Sequence, residues 1–335
     1  MAVYCNAITS TPPLTMAKTY TYILFVLFIL IAACKKDQLH FKNVEKINSY
    51  SDSDRLNKVI FTDSSNGFIV GGKWYTEALI LRTRDGGNTW DRQSFTNVGQ
   101  LLNSVTQSPD GSVYCIGFEG KLMQSTDTGK TWKFKQLEHY WFRDVAFTSP
   151  SQAIVVGGIS FGSGMRIKID SSGTLENRDS FTYQLNQVAM VSPTVGYTCG
   201  FGIVLKTTDG GNTWNIQNIE NDNFTAMDVH GDEIWICGYN GSIFHTVDGG
   251  NNWKRLRNGN DITLVNYRLM SILFTDTKNG WAAGENGVVL YTDDGGHHWM
   301  EYTHFTNNML YSIALCPDGR LMVVGDNGSI YKLTR

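Results

Sequence analysis

The chain has 335 residues, a formal charge of -3 and seven histidines. This nearly balanced charge indicates neither a polyanion-binding surface nor an acidic tail, so nucleic acid is not expected as a partner. Hydrophobic residues make up 41% of the chain, and 34 glycines stand against 6 prolines, which is typical of a large core interrupted by many tight turns.

Residues 1–33 are predicted to be a secretory signal peptide. Lys18 precedes an uncharged apolar run over residues 20–33, which is shorter than the ~20 residues that a membrane-spanning helix needs. Residues 1–15 contain two prolines and no positive charge. Met16 is therefore the expected start of translation.

The apolar run ends in Ile31-Ala32-Ala33-Cys34, which resembles the lipobox of bacterial lipoproteins. The resemblance implies that the thiol of Cys34 receives a diacylglyceryl group, with an ordinary Ala-x-Ala cleavage site as the alternative. Each buried methylene contributes ~0.8 kcal/mol, so a multiply acylated cysteine would hold the protein at a membrane. Residues 34–40 would be the lipidated cysteine and its tether. The protein is then expected to be exported and anchored to the bacterial cell envelope, on the periplasmic or surface side.

One signature recurs through the rest of the chain at intervals of about 40 residues, which is typical of propellers and solenoids. Its first copy reads Thr83-Arg-Asp85-Gly-Gly87-Asn-Thr89-Trp90. A degenerate copy surrounds Asp170, and a seventh unit ends at Arg335 without the strand that follows tryptophan in the complete units. The aspartates of the complete copies are Asp85, Asp127, Asp209, Asp248 and Asp294.

Each complete unit contains four short alternating segments separated by turn residues, and no convincing helical periodicity follows residue 34. Residues 41–47 have the alternation of the strand that the seventh unit lacks. The sequence therefore predicts an all-β, seven-bladed propeller over residues 41–335. An N-terminal strand is expected to complete the last blade and close the ring.

The signature resembles the Asp-box, or BNR repeat, of propellers such as bacterial sialidases, and the whole unit is similar to the photosystem II stability/assembly factor family. In physical terms the box aspartate accepts hydrogen bonds from backbone amides in the turn between the third and fourth strands, and the tryptophan packs between blades. A residue that occurs once per blade satisfies a local turn and cannot converge on one substrate. The box aspartates are therefore expected to be structural.

Four cysteines lie within the predicted propeller, and two of them occupy equivalent positions of two repeats, where other repeats carry small apolar residues. They are expected to be buried, inert thiols: Cys115, Cys199, Cys237 and Cys316.

The candidate binding site lies at the face where the inner strands begin. Three residues before the first core residue of each inner strand the chain is apolar in all seven units, so this position is expected to be core. Because side chains alternate along a strand, the residues on either side of it are expected to point to the channel mouth. Arginine and aromatic residues, which are typical of recognition surfaces, occur among these flanking residues. The candidate ring consists of Arg55, Trp141, Arg143, Arg268 and Tyr311, with His139 and Tyr267 as further candidates. Solvated loop residues without a ligand are the alternative.

The resemblance to the assembly-factor family implies a non-catalytic, lipid-anchored propeller that binds a partner protein and assists the assembly or stability of a membrane or envelope complex. No catalytic residue, metal or cofactor is assigned. A sialidase-like glycosidase is the first alternative. It would use a clamp of three arginines beside two hairpin glutamates: Arg55, Arg143, Arg268, Glu119 and Glu285. The second alternative is carbohydrate binding without hydrolysis, on the stacking platforms Trp141, Tyr140 and Tyr311.

Overall fold

The computed structural model describes residues 39–47, 54–220 and 222–335. The predicted signal peptide and Cys34 lie outside these residues. Residues 39–335 form one compact unit, and within its described residues there is no helix long and apolar enough to cross a membrane.

The described residues form seven antiparallel sheets of four strands each. The first three sheets, in order from the inner to the outer strand, have the following bounds. Blade 1 contains β2 (Arg55–Phe61), β3 (Gly67–Lys73), β4 (Glu77–Thr83) and β5 (Asp91–Phe95); blade 2 contains β6 (Leu102–Gln107), β7 (Val113–Gly117), β8 (Lys121–Ser125) and β9 (Lys133–Gln136); blade 3 contains β10 (Phe142–Ser149), β11 (Gln152–Gly158), β12 (Gly164–Asp170) and β13 (Leu175–Phe181).

The other four sheets follow the same order. Blade 4 contains β14 (Leu185–Met190), β15 (Gly196–Gly200), β16 (Ile203–Thr207) and β17 (Asn215–Ile216); blade 5 contains β18 (Phe224–His230), β19 (Glu233–Gly238), β20 (Ile243–Thr246) and β21 (Lys254–Arg257); blade 6 contains β22 (Leu269–Phe274), β23 (Gly280–Gly284), β24 (Val289–Thr292) and β25 (Met300–Glu301); blade 7 contains β26 (Leu310–Leu315), β27 (Leu321–Gly325), β28 (Ile330–Thr334) and β1 (Asn43–Lys46).

The ring closes between the two ends of the propeller. Strand β1 pairs with β28, with Asn43 opposite Thr334 and Lys46 opposite Tyr331. The inner strands of neighbouring blades contact one another around the whole ring, including β26 with β2. The seven-bladed fold and its closing N-terminal strand are therefore confirmed.

The core lies in the seams between blades rather than inside any one sheet. The second and third strands are buried along most of their length, as in β7 and β4, whereas outer strands such as β1 are exposed. A strand that packs a neighbouring blade on each face needs apolar residues at successive positions. Burial also raises the pKa of the thiol groups of the free cysteines, whose side chains behave as small apolar residues: Cys115, Cys199, Cys237 and Cys316.

The box aspartates are occupied within their own turns. Asp127 accepts hydrogen bonds from the backbone amide of Thr131 at 2.9 Å and from the hydroxyls of Thr131 at 2.7 Å and Ser125 at 2.8 Å. These bonds lower the pKa of Asp127 below its usual range. Gly129 in the same turn has a φ of 79°, a conformation that favours glycine. The equivalent turns repeat this arrangement at Asp85, Asp209, Asp248 and Asp294.

Candidate binding site at the mouth of the central channel

Every inner strand contains a β-bulge at the same point of its pairing with the second strand. In β10, for example, Phe142 pairs with Gly157 and Asp144 with Val156, so one residue is left without a partner. A bulge bends the strand and redirects the extra side chain. The unpaired residues of the seven blades are Asn57, Asn103, Arg143, Asn186, Thr225, Met270 and Tyr311.

In four blades the bulged side chain connects its blade to the next one. Asn57 Nδ2 donates to Leu102 O at 2.8 Å, and Asn103 Nδ2 donates to Phe142 O at 2.7 Å. Asn186 and Thr225 make the same bond to blades 5 and 6. We call this bond the latch. Blades 3, 6 and 7 carry arginine, methionine and tyrosine at the latch position. These three side chains do not form the latch, so they differ from the bulged residues of the other four blades.

A cavity of about 550 Å³ lies at the centre of the ring. All five residues of the candidate ring line it: Arg55, Trp141, Arg143, Arg268 and Tyr311. The further candidates do not. His139 is exposed beside the outer strand of blade 2, and Tyr267 is buried, with its hydroxyl donating to Glu301 at 3.0 Å. Strand alternation places the residues on both sides of the core position on the channel face. Because of the bulge, the residue after the unpaired one also lines the cavity, as Asp144 does after Arg143.

The three arginines of the cavity have different electrostatic surroundings. Arg268 pairs with Glu285 at 2.6 Å and donates to the Tyr239 hydroxyl at 2.8 Å, and the bond to Glu285 raises its pKa. Arg55 and Arg143 form no ion pair within the described residues. Arg55 donates to Asn57 and lies over the ring of Tyr311, with 4.0 Å between the guanidinium carbon and the ring centroid.

Arg143 is held in an unfavourable place for a charge. Its side chain donates to Gly158 O at 3.2 Å and to Ser160 Oγ at 3.1 Å. Burial and the positive charge of Arg55 lower the pKa of Arg143 to about 10, so the group remains charged at neutral pH. Arg55 and Arg143 therefore face one cavity without an ion pair among the described residues, and they favour an anionic group of a ligand.

The carboxylates deeper in the cavity connect neighbouring blades. Asp144 accepts hydrogen bonds from Ser104 Oγ at 2.5 Å and from the backbone amide of Val188 at 3.1 Å. Asp228 accepts the backbone amide of Phe274. A general acid or nucleophile must be able to reach a substrate, whereas these two groups are bound to the frame of the ring.

Aromatic residues surround the mouth on one side. The hairpins between the second and third strands of blades 1–5 present Trp74, Tyr75, Phe118, Phe161, Phe201 and Tyr239. The corresponding hairpins of blades 6 and 7 present Glu285 and Asp326, which bind Arg268 and the hydroxyl of Tyr311. We call the six aromatic residues the aromatic rim.

Four residues of the aromatic rim are well exposed, with exposed fractions of 41% for Trp74, 63% for Tyr75, 56% for Phe161 and 41% for Phe201. They are held by ring contacts rather than by burial. Trp74 lies edge-on to Phe118, with ring centroids 4.2 Å apart. The rim was not predicted from the sequence, although comparing the residue after the second-strand glycine across the repeats would have found Phe118, Phe201 and Tyr239.

Together, these features define an Asp-box propeller whose central cavity is lined by arginines and bordered by aromatic residues. The family model described as Photosynthesis system II assembly factor YCF48 matches residues 40–140 and 176–263. The chain belongs to this family, which confirms the family resemblance of its repeats.

Solved structures show the same fold. YCF48 from Cyanidioschyzon merolae is 20% identical, with a TM-score of 0.65 over 87% of this chain and 98% of that chain. A structure of YCF48 bound to D1 peptide is 20% identical, with a TM-score of 0.67 over 89% and 97% of the two chains. A virginiamycin B lyase from Staphylococcus aureus with Quinupristin is 13% identical, with a TM-score of 0.70 over 88% and 99%. The comparison with curated proteins gives no match.

Proposed function

We propose that this protein is a non-catalytic propeller that binds an extended segment of a partner protein in its mouth and so assists the assembly or stability of a membrane or envelope complex. The observation that carries the proposal is that Arg55 and Arg143, which form no ion pair within the described part of the chain, lie beside an exposed aromatic rim. Such a mouth suits a peptide that offers apolar side chains to the rim and a carboxylate to the arginines.

Membership of the assembly-factor family supports this proposal, as does the peptide bound to a YCF48 propeller of the same fold. The partner of this chain is a separate question, and we define it by its chemistry: an extended segment with aromatic or aliphatic residues and at least one acidic group. Aromatic residues supply contact area at low entropic cost, and arginine supplies directed hydrogen bonds.

We further propose that the propeller is exported and held at the envelope membrane by the lipid on Cys34. The lipobox-like sequence before Cys34 supports this location. The variant Cys34→Ser is expected to move from the membrane fraction to the soluble fraction and to lose incorporation of labelled palmitate. Unchanged fractionation and labelling would count against the anchor.

The partner can be tested by affinity capture from detergent-solubilised membranes with the full chain as bait. We expect the variants Arg55→Ala and Trp74→Ala to reduce capture of the partner about ten-fold each, a loss of roughly 1.4 kcal/mol of binding. The matched control is Ile216→Ala, because Ile216 is 71% exposed but lies on the outer strand β17. A protein captured equally by all variants, or no protein above background, would contradict the proposal.

Carbohydrate binding is the second candidate, because exposed aromatic faces such as that of Trp74 are also suited to stack on sugar rings. A glycan array probed with residues 39–335 distinguishes it from peptide binding. We do not propose glycoside hydrolysis, since Asp144 and Asp228 hold backbone amides and Glu285 holds Arg268. Turnover of a fluorogenic sialoside that is lost in Arg268→Ala would reverse this choice.

A further inference from the structure

Each seam between two blades has a slot beside the outer strands, away from the central channel. In most seams an aromatic side chain fills this slot. Trp132 of blade 2 lies edge-on to Phe68 of blade 1 with ring centroids 6.1 Å apart, and its Nε1 donates to Gln93 Oε1 at 2.7 Å. At the seam between blades 6 and 7, Phe41 stacks on Tyr302 with 3.7 Å between centroids. The slots of the other complete repeats are filled by Trp90, Trp214, Trp253 and Trp299.

Among the residues that the structure describes, none fills the slot between blades 2 and 3 in this way. The degenerate box of blade 3 carries Leu175 at the position of the tryptophan, five residues after Asp170, as Trp132 lies five residues after Asp127. The side chain of Leu175 is 42% exposed. A cavity of about 380 Å³ occupies this seam, and its apolar walls include Leu137, Ile167 and Leu175.

The residues that line this cavity occupy the same repeat positions as those that hold the indole of Trp132 at the seam between blades 1 and 2. Lys135 has the position of Gln93, the partner of Trp132, because each lies three residues after the box tryptophan of its own blade. Leu137 has the position of Phe95, which packs in the same cluster as Trp132. The frame for an indole is thus present, and the indole itself is missing from blade 3.

Two polar contacts span the open seam. Lys135 Nζ donates to Ser172 O at 3.1 Å, and Arg178 pairs with Glu138 at 3.3 Å. The side chains of Arg178 and Glu138 are 49% and 34% exposed. Ion pairs of this kind contribute about 0–1 kcal/mol, so an entering group can displace them at small cost.

The strand beside the slot is also the longest outer strand of the described residues. Strand β13 has seven residues, whereas the other outer strands have two to five. Its free edge presents backbone donors and acceptors that an added strand can satisfy. None of the residues around the slot lines the mouth cavity.

We propose that the slot between blades 2 and 3 is a second binding site, which takes the tryptophan side chain of an extended segment of a partner protein lying beside β13. The indole takes the place that the box tryptophans occupy in the other complete repeats. This site does not depend on ligand binding at the mouth, and either one can fail without the other.

The test uses isotope-labelled protein of residues 39–335, which contain all seven blades and the closing strand. It is titrated with N-acetyl-L-tryptophanamide and followed through amide chemical shifts. We expect shifts at Leu137 and Leu175, and about ten-fold weaker effects of N-acetyl-L-leucinamide and of decanoate. Shifts confined to the mouth, an equal response to decanoate, or no response up to the solubility limit would overturn the proposal.

Three variants make the test independent of folding effects. Leu175→Trp places an indole in the slot, so it should abolish the shifts while the fold is kept. The matched control Ile216→Trp adds an indole on β17, away from the slot, and should bind as the unchanged protein does. Leu175→Glu at the same exposed position should weaken binding about ten-fold if the tryptophan variant does not fold. Unchanged binding by the Leu175 variants refutes the site.

Discussion

Replacing Arg143 with asparagine should stabilise the propeller and weaken its binding at the mouth. Asparagine at this position in blades 1, 2 and 4 forms the latch to the next blade, as Asn103 does to Phe142 O at 2.7 Å. In Arg143→Asn the new amide can donate to the carbonyl of Leu185 in blade 4. In this variant, water at the mouth can replace Arg143 as the hydrogen-bond donor to Gly158 O and Ser160 Oγ.

The size of the effect follows from the surroundings of Arg143. Burial and the charge of Arg55 lower its pKa from 12.5 to about 10, which corresponds to at most about 3 kcal/mol of lost stability. Solvent at the mouth screens part of this, leaving ~1 kcal/mol. The latch adds ~1 kcal/mol. The free energy of unfolding should therefore rise by about 2 kcal/mol, and Tm by several degrees.

The folded-state pKa of Arg143 also determines how the stability gained in Arg143→Asn depends on pH. Below a pH of about 10 both the folded and the unfolded chain carry the charged arginine, so the penalty is fully present at neutral pH and is relieved only as the pH rises through the folded-state pKa. The gain of Arg143→Asn should consequently be constant between pH 6 and about 9.

Chemical denaturation and thermal unfolding measure the effect, with Arg143→Met as the control that removes the charge without forming the latch. Arg143→Asn should exceed Arg143→Met by the value of one hydrogen bond, ~1 kcal/mol. A lower Tm in Arg143→Asn would refute the electrostatic reasoning, and equal values for the two variants would refute the latch. Capture of the partner should fall in both variants.

Two further predictions concern the stability of the fold at low pH and the contribution of the closing N-terminal segment to that stability. Because the backbone amide of Thr213 and its hydroxyl hold the pKa of Asp209 at about 2 instead of 3.8, its contribution to stability is present above pH 4 and is lost as the pH falls towards 2; the denaturation midpoint should decline over this window, and less steeply in Asp209→Asn. Phe41→Ala should lower the free energy of unfolding by about 2–3 kcal/mol, because Phe41 stacks on Tyr302 across the closing seam. The exposed Val44→Ala on the same segment should change it by less than about 0.5 kcal/mol, and similar losses for both variants would mean that the stacking is not what secures the closure.

The candidate ring could be predicted because the repeats can be compared position by position. Arg143 stands out where all other blades carry neutral residues, and Arg55 lies at a position that is charged in only one other blade, at Arg268; both Arg55 and Arg143 line the cavity. Strand alternation places both on the channel face, whereas no residue pattern within a single strand predicts the bulge that adds Asp144 to the lining. The further candidate Tyr267 was wrong for the mouth, because its loop turns into the seam and its hydroxyl binds Glu301.

Only part of the evidence for the open slot between blades 2 and 3 is present in the sequence. The loss of the box tryptophan at Leu175 can be read directly from the degenerate copy. Whether another side chain fills the vacated space is decided by distant parts of the chain, as Phe41 illustrates at the closing seam, where it stacks on Tyr302.

The sequence by itself determined the number of blades, the closing strand and the occupied box turns, since each depends on periodicity and on hydrogen bonds between residues close together in the chain. The tertiary structure alone decided which charges are paired. Glu285 neutralises Arg268, whereas Arg55 lies against Tyr311 from the other end of the propeller and has no carboxylate partner in residues 39–47, 54–220 and 222–335. Ring closure brings Arg55 and Tyr311 together, and the local sequence around either residue does not predict this contact.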